Sequence, residues 1–151
     1  MKKVHLLALS LIVIFSACKK YEEGPRFSFR SKEERLSNSW VISKVFESAN
    51  GGSKTDKTSD YHTRYSNFVL VCDKENHYST TFNSFSTIPA NEVGRYHFGS
   101  EKNIIIFDYQ SGNDDTMEGK WTILRLKEDE LWMETVDSNT NVTVEVHFTP
   151  Q

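Results

Sequence analysis

Eight short runs of β-branched, aromatic and aliphatic residues fill the chain from Trp40 to Phe148, and each is closed by a turn-forming cluster. The last run is the sharpest. Val142, Val144, Val146 and Phe148 alternate with Thr143, Glu145, His147 and Thr149, a period of two that puts one face on a core and the other in water. The other runs are Trp40 to Glu47, Arg64 to Cys72, His77 to Phe85, Glu92 to Phe98, Asn103 to Tyr109, Met117 to Lys127 and Leu131 to Val136. Most connections are short, such as Asp73-Lys74-Glu75-Asn76 and Glu128-Asp129-Glu130. Residues 48–62 read as a long polar loop, and Ile88 to Asn91 as a break. No helix is long enough for the crossover that parallel strands need, so the strands are expected to run antiparallel as a meander. A meander removes its two exposed edges by closing on itself. The expected fold class is all-β, an antiparallel eight-stranded meander that can close into a barrel. A short helix precedes it at Ser31 to Leu36, with Ser31 as cap and Glu33 and Glu34 in the first turn.

The N-terminus has a different character. Lys2 and Lys3 precede an apolar run from Leu6 to Phe15, too short to span a bilayer as a stable helix and suited to a secretory signal. Ser16 and Ala17 are small, and Cys18 follows. Small-small-Cys at the end of such a run resembles the bacterial lipobox, with Phe15 where Leu is usual. That resemblance implies cleavage before Cys18 and lipidation of its thiol, against the alternative of a plain signal that ends near a Cys. The expected organisation is a signal at 1–17, a lipidated tether at 18–30 and a barrel domain at 31–151. The expected partner is a membrane held through the lipid. The expected location is the outer membrane, on its periplasmic face or at the cell surface. Glu22-Glu23 behind Cys18 resembles a surface-export signal of Bacteroidota-type lipoproteins, and an ordinary solvated linker is the alternative.

Removing residues 1–17 leaves 134 residues with 16 Lys and Arg against 21 Asp and Glu, enough for one domain and mildly acidic. Nucleic acid is a poor partner for such a balance. Cys72 is left without an internal disulfide partner, and its apolar run Phe68 to Val71 points to a buried thiol. His62, His77, His97 and His147 lack metal-site spacing, and no nucleophile elbow or phosphate loop occurs. Asp114-Asp115 and Glu128-Asp129-Glu130 lack the spaced ligands of a calcium loop and read as solvated turns. No enzyme activity, cofactor or metal is expected.

Three segments carry a family likeness. Arg35-Leu36-Ser37-Asn38-Ser39-Trp40-Val41-Ile42 resembles the opening of bacterial lipocalin-like lipoproteins. Gly94-Arg95-Tyr96-His97-Phe98 followed by Ile104-Ile105-Ile106 resembles their middle segment, and Trp121 to Leu126 followed by Glu128 to Trp132 resembles their late signature. A usual Asp-Gly turn is replaced here by Glu75-Asn76. The likeness spans residues 33–149 and implies an eight-stranded up-and-down, lipocalin-like barrel with a short N-terminal helix. Lipocalins proper take small apolar ligands at the barrel mouth, whereas in the bacterial family the ligand is open and a barrel filled by side chains is the alternative.

Aromatic residues crowd the middle of the chain, and core packing accounts for most of them. Tyr61, Tyr65 and Phe85 flank the polar loop and the break, so they are expected at a barrel mouth, with Arg64 and Arg95 as polar groups beside them. Asp115-Thr116-Met117 resembles a Bacteroidota-type O-glycosylation acceptor at Thr116. Asn141-Val142-Thr143 fits an N-glycosylation pattern that a bacterial lipoprotein would not ordinarily use. The expected function is binding of a small apolar or amphipathic molecule by a lipid-anchored barrel. The alternative is a filled barrel that grips a protein or glycan through loops 48–62 and 110–116.

Overall fold

The computed structural model describes residues 29–84, 89–101, 103–110 and 116–151. Helix α1 (Lys32–Leu36) leads into β1 (Ser39–Ala49). A two-residue strand, β2 (Thr55–Asp56), and helix α2 (Thr58–Arg64) follow. Then come β3 (Tyr65–Cys72), β4 (His77–Ser84), β5 (Pro89–Phe98), β6 (Ile104–Gln110), β7 (Thr116–Leu126), β8 (Leu131–Asp137) and β9 (Val142–Pro150). Every neighbouring pair from β3 to β9 is antiparallel, and β9 returns to β1 over nine paired positions from Trp40↔Pro150 to Ala49↔Val142. The result is the expected closed eight-stranded meander, with β2 as an added rung. Closure satisfies the edge groups that an open sheet would leave bare.

Local chemistry explains the turns. Asn76 takes a left-handed φ of 66°, the conformation that the usual glycine would supply, and Asn tolerates it because its short side chain bonds locally. The Asp73 carboxylate holds this turn by accepting the His77 backbone N–H at 2.8 Å. Ser31 caps α1 in a full capping box with Glu34, with both bonds near 3 Å.

Two expectations are corrected. Residues 48–62 are not simply a loop, because they build β2 and most of α2. The reason lies in β1, which pairs with β3 only from Ser39 to Val41 and then swings away. The freed edge of β1 is met by the inserted segment. Lys57 N–H donates to the Val45 carbonyl at 2.8 Å, and Val45 N–H donates to Thr58 Oγ1 at 3.0 Å. Strand β5 also starts earlier than the Pro-containing break suggested, since Pro89 pairs with Asn83. A first strand position tolerates proline, which has no N–H to offer the ladder.

The core is densest at the end where β1 begins. Trp40, Leu36, Ile105, Leu126 and Leu131 are fully buried there. Trp40 donates its indole N–H to the Leu36 carbonyl at 2.8 Å, so α1 lies across the barrel foot as a plug. Arg35 is also buried, and its guanidinium donates to the Leu126 carbonyl at 2.7 Å and to Ser31 O at 3.2 Å.

Candidate functional site

Above this packed foot the barrel is hollow. A cavity of about 400 Å³ lies among inward positions of β1 and β3 to β9, with Tyr61 of α2. Its floor is Leu70, Phe107, Met133, Val146 and Phe148, and its walls include Phe68, Tyr78, Phe82 and Trp121. Small residues make the space: Thr80, Gly119, Thr135 and Val144 line it at the levels where the foot carries bulky side chains. Eight strands leave room for either filling side chains or one small ligand, and here the residue sizes decide for space.

A bulge builds the aromatic side of the cavity. Between Ser66 and Val69 the register of β3 slips by one residue against β4, and Asn67 there has φ 57°. The extra residue reverses the alternation, so Tyr65 and Phe68 both reach the cavity. Tyr61 and Tyr65 lie four apart across the end of α2, with ring centres 5.7 Å apart, and Tyr65 meets Phe82 edge-on at 5.5 Å. The Tyr61 hydroxyl donates to Glu47 at 3.0 Å, and burial followed by this bond pushes its pKa up to about 12. It stays a neutral hydrogen-bonding group at any physiological pH.

Glu92 is the charged side chain of the cavity lining among the described residues. It accepts from the Tyr78 hydroxyl at 2.7 Å and remains exposed, so water reaches the cavity at its level. Below it, Gly94 lets the wall pinch. A Cβ there would stand 2.0 Å from the Asp108 carbonyl oxygen and 2.7 Å from the Tyr78 ring. Tyr96, next along this face, is buried and donates to the Asp73 carbonyl at 2.6 Å. Its hydroxyl is pushed well above the usual phenol range, first by burial.

The outer wall on the other side carries a stacked ladder. Trp132 lies flat on His147 at 4.0 Å, the Arg125 guanidinium covers Trp132 at 3.7 Å, and Phe46 meets His147 edge-on at 5.4 Å. Glu145, with 7% of its side chain exposed, sits beside His147 at 2.6 Å and under the Lys54 ammonium. Burial raises the Glu145 pKa, but the bonds from Lys54 and His147 outweigh it and hold the carboxyl below the usual range. His77 and His97 each face one carboxylate, Asp73 at 3.0 Å and Asp108 at 3.2 Å. No three metal-ligating side chains gather among the described residues. The Cys72 thiol is buried and pushed up to about 12 by burial, so it is an inert core group.

A solved structure shares this architecture. A lipocalin-like protein from Bacteroides uniformis superposes with a TM-score of 0.52 over 78% of this chain and 99% of that chain, at 10% identity. The fold is lipocalin-like. An uncharacterized protein from Bacteroides eggerthii matches at a TM-score of 0.48 and 11% identity, over 77% of this chain and 99% of that one. No protein-family description and no curated protein matches the sequence.

Of the residues expected at the mouth of the lipocalin-like barrel, Tyr61 and Tyr65 line the cavity. Arg64 ends α2 in solvent, its guanidinium 6.0 Å from the Tyr61 ring, and is not part of the lining. Arg95 is exposed on the outer wall, because its neighbours Gly94 and Tyr96 face inward. Thr116 opens β7 at the same end as the cavity. Phe85 and Cys18 lie outside the described residues. Glu92, Tyr78 and the Phe68–Phe82 wall complete the site without having been singled out as ligand contacts.

Proposed function

We propose that this chain is a lipid-anchored envelope protein whose barrel binds a small apolar or amphipathic molecule. The cavity carries the reading. Its volume of about 400 Å³ falls within the ~300–1,000 Å³ typical of small-molecule sites, and aromatic and aliphatic walls with a few polar groups are their usual makeup. A filled barrel working only through its loops would leave this space without a purpose. The polar groups on hand, one carboxylate and hydroxyl donors, suit holding a ligand and not transforming it. The anchor half rests on the run that ends at Ser16-Ala17-Cys18, whose likeness to a lipobox supports lipidation and attachment at the outer membrane.

Native mass spectrometry of the protein extracted from its own membrane tests both halves. The expected result is a chain that starts at Cys18 and carries covalent lipid, plus a noncovalent small molecule that is lost on denaturation. A folded chain with lipid alone overturns the ligand half. A chain without lipid overturns the anchor half.

A further inference from the structure

We infer that the cavity selects a cationic ligand, a primary amine on an aromatic or short aliphatic body, over neutral and anionic molecules of the same shape. The inference rests on the cavity-binding reading above and adds the sign of the ligand's charge. Glu92 is the first reason. It is the charged member of the lining, it faces inward from β5, and only one of its lone-pair sites is met by the Tyr78 hydroxyl. An ammonium has donors for the remaining sites.

A second carboxylate stands behind the wall. Glu47 accepts the Tyr61 hydroxyl proton, which leaves the Tyr61 oxygen as an acceptor at the cavity edge. The rings of Tyr61, Tyr65, Phe68 and Phe82 form the third reason, since aromatic faces carry negative potential and attract cations. No Lys, Arg or His lines the cavity among the described residues. Basic groups around the cavity are placed elsewhere: Arg64 sits in solvent off the Tyr61 ring, Arg95 is on the outer wall, Lys54 pairs with Glu145, and the exposed His62 ring meets the Ile42 carbonyl at 3.2 Å. A carboxylate ligand would meet Glu92 with no cation of the described lining to offset the repulsion.

The test is calorimetric titration of the full lipidated protein in phosphatidylcholine nanodiscs, with empty discs subtracted. The probes are 3-phenylpropylamine, 3-phenylpropan-1-ol and 3-phenylpropanoate, which share one body and differ in head group. The amine is expected to bind at least tenfold more tightly than the alcohol, and the carboxylate most weakly. Glu92→Gln keeps an acceptor for Tyr78 and should bring the amine within threefold of the alcohol. Gly119→Leu, which puts a side chain into the cavity, should weaken binding of all three. Equal binding of amine and alcohol by the native protein overturns the charge inference while the cavity reading stands. Binding of none of the probes also overturns it, and the noncovalent mass described above then judges the cavity reading by itself. Amine binding unchanged by Gly119→Leu places the amine elsewhere and overturns the inference as well.

Discussion

The two ends of the barrel are built from the same strands and differ in almost everything else. At the foot, Trp40, Leu36, Ile105, Leu126 and Leu131 are fully buried, and α1 seals them from below. Toward the other end, the same strands present Thr80, Gly119, Thr135 and Val144, and a cavity opens. The foot therefore carries the packing that holds the fold, and the upper half can trade packing for space. A barrel wall is indifferent to its contents as long as one layer is dense.

Three changes would break or sharpen this contrast. Trp40→Ala should cost about 3–5 kcal/mol, because it removes the largest buried ring and the tie to Leu36. Denaturant unfolding measures it, and a cost near that of a surface change would show that the foot is not the stabilising layer. Next is acid. The Glu145 carboxyl lies below its ordinary 4.5, so the folded state binds fewer protons there than the unfolded chain. Its contribution is complete above that value and is lost as pH falls through the lower, folded one. Native protein should exceed Glu145→Gln by about 1 kcal/mol at neutral pH, and the gap should close in acid. A gap that persists in acid would remove the Lys54–Glu145–His147 cluster from the account. Smallest in stability is Gly119→Leu. A Cβ there meets the Phe107 carbonyl oxygen at 3.7 Å and the Trp121 ring nitrogen at 3.8 Å, which are ordinary contacts. It should move stability by less than about 1 kcal/mol while weakening ligand uptake. A large loss would mean that the upper half is as packed as the foot.

The strands were legible because period-two alternation is written directly into runs such as Val142 to Thr149. The α1 helix was legible through Ser31 and its two glutamates, but its place across the barrel foot was not. The site was legible only in part. Arg95 could have been excluded from sequence, since it cannot share a face with its neighbour Tyr96 once that ring is taken as core. Glu92 was hidden by the opposite problem: one carboxylate in a strand gives no sign of which face it takes until Gly94 and Tyr96 fix the alternation. The bulge at Asn67 was invisible, because a left-handed residue inside an apolar run breaks the parity on which the reading depends. Helix α2 was masked by its polar composition. Its one cue is the four-residue spacing of Tyr61 and Tyr65, which puts both rings on one side of a turn.

The seam between β1 and β3 has a consequence for how copies of this protein behave together. Past Val41 the edge of β1 has no strand of the barrel beside it, and β2 and α2 occupy the place instead. An uncovered strand edge is a template for another chain's strand. The inserted segment thus works as a guard against self-association. Its removal would take Tyr61 out of the cavity lining and leave a molecule prone to stick to its own kind.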